Sequence, residues 1–152
     1  DIYQRPANVF VATFIGRTNM LPGTLTVQDG KCAVRFSDGY TVPIENVQEQ
    51  HRREQSIQIS VRPEEFIVST DATQGVPAKV SDSIFLGLNT HYKLTLHDGT
   101  EVETIQESSI DSIIPKGTEV FLQVKAEKIN IFSEDGSVNL LRGVHDDKRG
   151  AE

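Results

Sequence analysis

At 152 residues with 37% apolar side chains, the chain can bury a core as one ordinary domain or as two small lobes. Its formal net charge of −7 argues against a nucleic-acid backbone as main partner, because phosphate binding needs clustered Lys and Arg. Cys32 is the only cysteine, which excludes an intrachain disulfide, and no apolar run approaches the ~20 residues that a membrane-spanning helix needs. A cytosolic setting is therefore the expectation. The start at Asp1, without an initiator Met, fits a piece cut from a longer chain.

In chain order, the first stretch is "RPANVFVATFIGRTN". Pro6 suits the opening of a helix, Val9, Phe10, Thr13 and Phe14 would share one face, and Gly16 would stop it. The spacing thus predicts one short amphipathic helix within residues 1–16. From Met20 onward, short runs rich in Val, Ile, Thr and Phe are punctuated by Asp29-Gly30, Asp38-Gly39, Asp98-Gly99 and Asp135-Gly136. Asp-Gly tolerates the positive φ that tight turns demand, so these pairs predict hairpins. In "HYKLTLH", Tyr92, Leu94 and Leu96 fall on one face of a strand and His91, Lys93, Thr95 and His97 on the other. The predicted class is all-β, a small barrel or sandwich.

Parts of the sequence repeat. Val61-Arg62-Pro63-Glu64 aligns with Val124-Lys125-Ala126-Glu127, and Phe66 and Val68 align with Ile129 and Ile131. "FIGRTN" from Phe14 aligns with "FLGLNT" from Phe85, and "FSDGYTV" from Phe36 with "LHDGTEV" from Leu96. "LPGTLTVQDGKCAVR" then reads as an extra hairpin in the first copy. This is an internal duplication of a β unit: a first lobe over 17–70, a second over 71–144, a join within "STDATQG", and a frayed tail over 145–152. Whether "SVNLLRG", near Asn139, closes the second lobe or returns to the first stays open at this level.

Catalytic patterns are missing. "GTLTVQDGKC" has the wrong glycine spacing for a phosphate loop, and Cys32 stands where a magnesium-binding Ser or Thr would be needed. His91 and His97 would lie roughly 20 Å apart on one strand at ~3.3 Å per residue, too far to share a metal. Glu64 and Glu65 are adjacent and so form a poor acid–base pair, and no serine occupies a G-x-S-x-G elbow. With no Trp, and with Phe mostly at apolar-face positions, core packing explains the aromatics better than base stacking. A free-standing oligonucleotide-binding barrel survives only through fold analogy.

"DIYQRPANVFVATFIGRTNMLPGTL" resembles the junction in ATP-binding subunits of ABC importers where the nucleotide-binding domain gives way to the transport-associated OB (TOBE) domain. Ile2-Tyr3, Pro6, Phe10-Val11-Ala12, Phe14-Ile15-Gly16, Asn19 and Leu21 match that pattern; "VRPEEFIV" from Val61 and "GTEVFLQVKAEKINIF" from Gly117 are similar to its later strands. The resemblance implies tandem OB-like β-barrel lobes that regulate and help dimerise a subunit hydrolysing ATP beneath membrane permeases. It places ATP and magnesium in the missing nucleotide-binding domain and leaves this chain with no catalytic, cofactor or metal residue. Phe10, Phe14 and Ile15 would dock against that domain. The implied partners are the chain's own nucleotide-binding domain, a second copy of the subunit and the permeases, on the cytoplasmic face of the membrane. The tandem repeat and "THYKLTLHDG" are most similar to spermidine/putrescine importers, with ferric iron, sugar and oxyanion importers as relatives. A second reading makes the chain a solute sensor, with Asp38, Glu64, Asp98 and Glu127 of the repeated turns lining a cleft.

Overall fold

A computed structural model of the chain describes residues 6–9, 18–70, 74–108 and 113–141. The predicted helix, with Phe10, Phe14 and Ile15, lies outside these residues except for its first few positions, and so does the tail. The first sheet comprises β1 (Asn19–Gln28), β2 (Lys31–Phe36), β3 (Thr41–Ile44), β4 (Gln55–Val61) and a strand from far along the chain, β10 (Asn130–Ser133), in the order β10-β4-β1-β2-β3. The second comprises β5 (Ile67–Ser69), β6 (Val76–Leu86), β7 (Asn89–Leu96), β8 (Glu101–Glu107) and β9 (Glu119–Gln123), in the order β5-β9-β6-β7-β8. Every pairing between these strands is antiparallel.

Alternation builds the interior. Tyr92, Leu94 and Leu96 are buried along β7 while Lys93 and His97 face out, as the period of two requires. Cys32, Val34 and Phe36 do the same on β2, and the inward residues of both sheets merge into one apolar cluster. At Gly23, held between β2 and β4, an added Cβ would stand 2.7 Å from the Arg35 carbonyl oxygen, so only glycine fits. Pro43 sits on β3, an edge strand, where a missing N–H is tolerated.

The Asp-Gly turns form as expected. Asp29 and Gly30 take φ of 54° and 78° between β1 and β2. The turns at Asp38-Gly39 and Asp98-Gly99 share one bonding pattern: Phe36 N donates to Tyr40 O and Gly39 N to Phe36 O, while Leu96 N donates to Thr100 O and Gly99 N to Leu96 O. The two "V-x-x-E" segments match as well, each forming a short 3-10 turn, Pro63–Glu65 and Ala126–Lys128.

The remaining alignment is corrected. Phe85–Thr90 is the tip of the β6–β7 hairpin, with Gly87 at φ 78°, and its counterpart in the first lobe is Asp29-Gly30. Each lobe therefore has this hairpin, and the one at Leu21–Arg35 is not an extra. Two different two-residue turns do the same job, so the hairpins correspond where the letters do not.

The lobes exchange strands. After the 3-10 turn Pro63–Glu65, β5 crosses to pair with β9; after Ala126–Lys128, β10 crosses back to pair with β4. Residues 138–141 follow β10 into the first lobe, where Leu141 bridges Val47 and Asn139 bridges Phe132. Sheet membership thus crosses the expected division between 17–70 and 71–144.

Candidate functional site

The four acidic positions expected to line a cleft are exposed and occupy two kinds of place. The Asp38 and Asp98 turns come together, with Ser37 Oγ donating to Asp98 Oδ2 at 3.3 Å. The Asp98 carboxylate also accepts the Thr100 backbone N–H at 2.9 Å, and chiefly this bond holds its pKa below the usual carboxylate value. Glu64 and Glu127 sit instead on the two 3-10 turns, which pack against β8 and β3 respectively. Glu64 makes an exposed ion pair with Arg62 at 3.9 Å, of the kind that contributes little. The Ser37–Asp98 bond joins the two aspartate turns, while the two glutamates sit on separate 3-10 turns.

The seam between the lobes is built from other residues. Asn19, buried at the start of β1, donates through Nδ2 to Val61 O at 3.1 Å and to Glu103 O at 2.9 Å, and accepts from Glu103 N at 2.8 Å. Its amide thereby pairs with the β8 backbone as a strand residue would. Tyr40 Oη accepts the Val124 N–H at 3.3 Å, tying the first lobe to the end of β9. Gln106 Nε2 donates to Phe66 O at 3.0 Å, fixing the chain where it crosses between lobes.

Two pockets flank Tyr92. One, of about 220 Å³, opens on the outer face of the second sheet and carries Asp82, His91, Lys93 and Glu103. The other, of about 440 Å³, lies at the end of the second lobe among Val68, Tyr92, Gln106 and Ile114. None of the four expected acidic residues lines either. Among the described residues, no three His, Cys, Asp or Glu side chains come together to hold a metal ion. Sequence reasoning placed Tyr92 in the core and did not single out Tyr40 or Gln106; nothing in a lone tyrosine or glutamine marks it as a seam residue before the pairing is known.

Comparison with known proteins places this architecture. The family model of the TOBE domain matches residues 59–132. The chain is 51% identical over 151 residues to the Fe(3+) ions import ATP-binding protein FbpC of Fusobacterium nucleatum, covering 99% of this chain and 39% of that protein. The chain carries a TOBE domain. This TOBE domain is also 33% identical over 113 residues to the spermidine/putrescine import ATP-binding protein PotA of Ruegeria pomeroyi, covering 74% of the chain and 30% of the relative. It therefore spans well under half the length of either. Among solved structures, the cytoplasmic molybdate-binding protein ModG, crystallised with molybdate bound, superposes with a TM-score of 0.61 at 15% identity, over 76% of this chain and 95% of that one. That likeness is one of fold: the TOBE domain consists of tandem OB-like lobes, as the family resemblance led us to expect. No helix among the described residues is long and apolar enough to cross a membrane.

Proposed function

We propose that this TOBE domain is the regulatory and dimerisation part of an ATP-binding subunit of an ABC importer. ATP and magnesium would be bound and hydrolysed in a nucleotide-binding domain outside this chain. The permeases and a second copy of the subunit would be its partners at the cytoplasmic face of the membrane. The observation that carries this reading is the 51% identity to an import ATP-binding protein over 99% of the chain. The same relative favours Fe(3+) as the solute over spermidine or putrescine, whose importer relative matches less closely and over less of the chain. Phe10, Phe14 and Ile15 are the residues proposed to dock on the nucleotide-binding domain.

The test uses the full-length subunit with its permeases in liposomes. Uptake of Fe(3+) without uptake of spermidine is the expected result, and the reverse restores the polyamine assignment. Phe10→Asp with Phe14→Asp should lower coupled ATP hydrolysis and complex assembly; if both are unchanged, the docking role is wrong. A solute-sensing role draws support from the adjacent Asp38 and Asp98 turns. Calorimetric titration of the chain with ferric citrate and with spermidine, if silent at millimolar solute, removes it.

A further inference from the structure

Residues from early and late in the chain meet on the first lobe. After β10, Ser133 N donates to Val138 O and Gly136 N to Ser133 O, both at 2.8 Å, which closes a tight hairpin around Asp135-Gly136. Gln58 Nε2 braces its tip from β4 by donating to Glu134 O at 2.8 Å. The returning arm is anchored in the lobe. Leu140 N donates to Ile131 O at 2.9 Å, and Leu140 and Leu141 are buried. Gln48 holds their backbone: its own N–H donates to Leu140 O at 2.8 Å, and its Nε2 donates to Asn139 O and Leu141 O at 3.1 and 3.0 Å.

Residues 6–9 lie on this hairpin. They precede β1 in sequence, yet Val9 N donates to Gly136 O at 2.9 Å, Asn139 N donates to Ala7 O at 2.9 Å, and Asn139 Nδ2 donates to Pro6 O at 2.7 Å. Donors come from both sides, so a slip by one residue would break all three bonds. Asn139 is 1% exposed, and the lobe itself orients its amide: Oδ1 accepts the Leu141 N–H at 2.9 Å and Nδ2 donates to Asn130 Oδ1 at 3.2 Å. An amide nitrogen carries two hydrogens, so with one bonded inside the lobe the other is already aimed at Pro6 O. Val9 packs close to the turn, since a Cβ added at Gly136 would stand 3.1 Å from Val9 Cγ2. Its bond to Gly136 O also meets a need of the sequence, because the first turn of a helix leaves its N–H groups without intrahelical partners.

We propose that the Asp135-Gly136 hairpin is a clasp for the segment by which the chain enters the domain. The late residues 136–139, rather than β1 into which the segment leads, set the direction in which the chain arrives. In the importer reading the arriving chain comes from the nucleotide-binding domain, and the clasp fixes the angle between the two domains. That consequence rests on the importer reading, whereas the clasp itself does not.

Amide hydrogen exchange of the chain, followed by NMR, tests the clasp. The Val9 and Asn139 amides should be protected to the same degree, because one opening frees both. Val9→Pro removes the donor to Gly136 at a place in the first helical turn where proline is tolerated. It should speed exchange at Asn139, whose N–H bonds to the segment, by about tenfold, the ratio that one hydrogen bond supplies. The adjacent Leu140 amide, bonded to β10, should be unchanged. Exchange at Val9 as fast as in an unstructured peptide, which the unmodified chain alone decides, would overturn the proposal. So would an unaltered rate at Asn139 in the variant, or equal acceleration at Asn139 and Leu140. Small-angle X-ray scattering of the full-length subunit tests the consequence: Val9→Pro should broaden the distribution of interdomain distances, and an unchanged distribution would show that the clasp does not position the domains. ATP hydrolysis by the same preparation tests the importer reading separately.

Discussion

Asn19 shows how much one side chain can do at a boundary between duplicated units. Its amide satisfies both backbone groups of Glu103 and the carbonyl of Val61, so truncation leaves several part-buried groups without partners. Asn19→Ala should destabilise the chain by about 2 kcal/mol, read from urea unfolding. Thr104→Val should act in the other direction. It removes a fully buried, unpaired hydroxyl while keeping the shape, so the melting temperature should hold or rise, with a gain of up to about 1 kcal/mol. Gly23→Ala tests close approach rather than bonding. With the Arg35 carbonyl 2.7 Å from the new methyl, β1 must move away from β2, at about 1–3 kcal/mol. None of these three roles could be read from the sequence. Each depends on a partner far along the chain or across a sheet, and a residue's identity says nothing about its partner.

Turns are the elements whose physics is most local, and they were the most legible. Gly30, Gly39, Gly99 and Gly136 all take positive φ, as their Asp-Gly pairs required. The alignment of "FIGRTN" with "FLGLNT" failed because a six-residue likeness contains too little to identify a hairpin tip. The Asp135 turn offers a pH test at this scale. Its carboxylate accepts from Ser137 Oγ at 2.7 Å, Ser133 Oγ at 2.7 Å and Ser137 N at 3.0 Å, and these bonds lower its pKa from 3.8 to about 2. Because the folded-state value lies below the ordinary one, the turn's contribution is complete above about pH 3.8 and is lost as pH falls through about 2. Carboxyl NMR should give a midpoint near 2, and Ser137→Ala should move it up towards the ordinary value. A midpoint at 3.8 in the unmodified chain would mean that the serine hydroxyls point elsewhere in solution.

At the level of the whole molecule, duplication was legible and exchange was not. The "V-x-x-E" repeat announces two similar units, but which sheet receives β5 and β10 depends on pairing between strands of three and four residues, with no periodic signal of their own. The consequence concerns folding. Each sheet borrows an edge strand from the other half, and the apolar cluster runs through both lobes without a break. Neither half can complete its sheet alone, so the chain should unfold in a single transition rather than lobe by lobe. Two fragments made by cutting between Thr70 and Gln74 provide the sharper test. Separately, the first lacks β10 with the Leu140–Leu141 cover, and the second lacks β5. Each should therefore show poor amide dispersion alone and recover the spectrum of the intact chain when mixed. If either fragment folds by itself, pairing its own last strand within its own lobe, then the crossing strands are interchangeable and the two lobes are independent folding units after all.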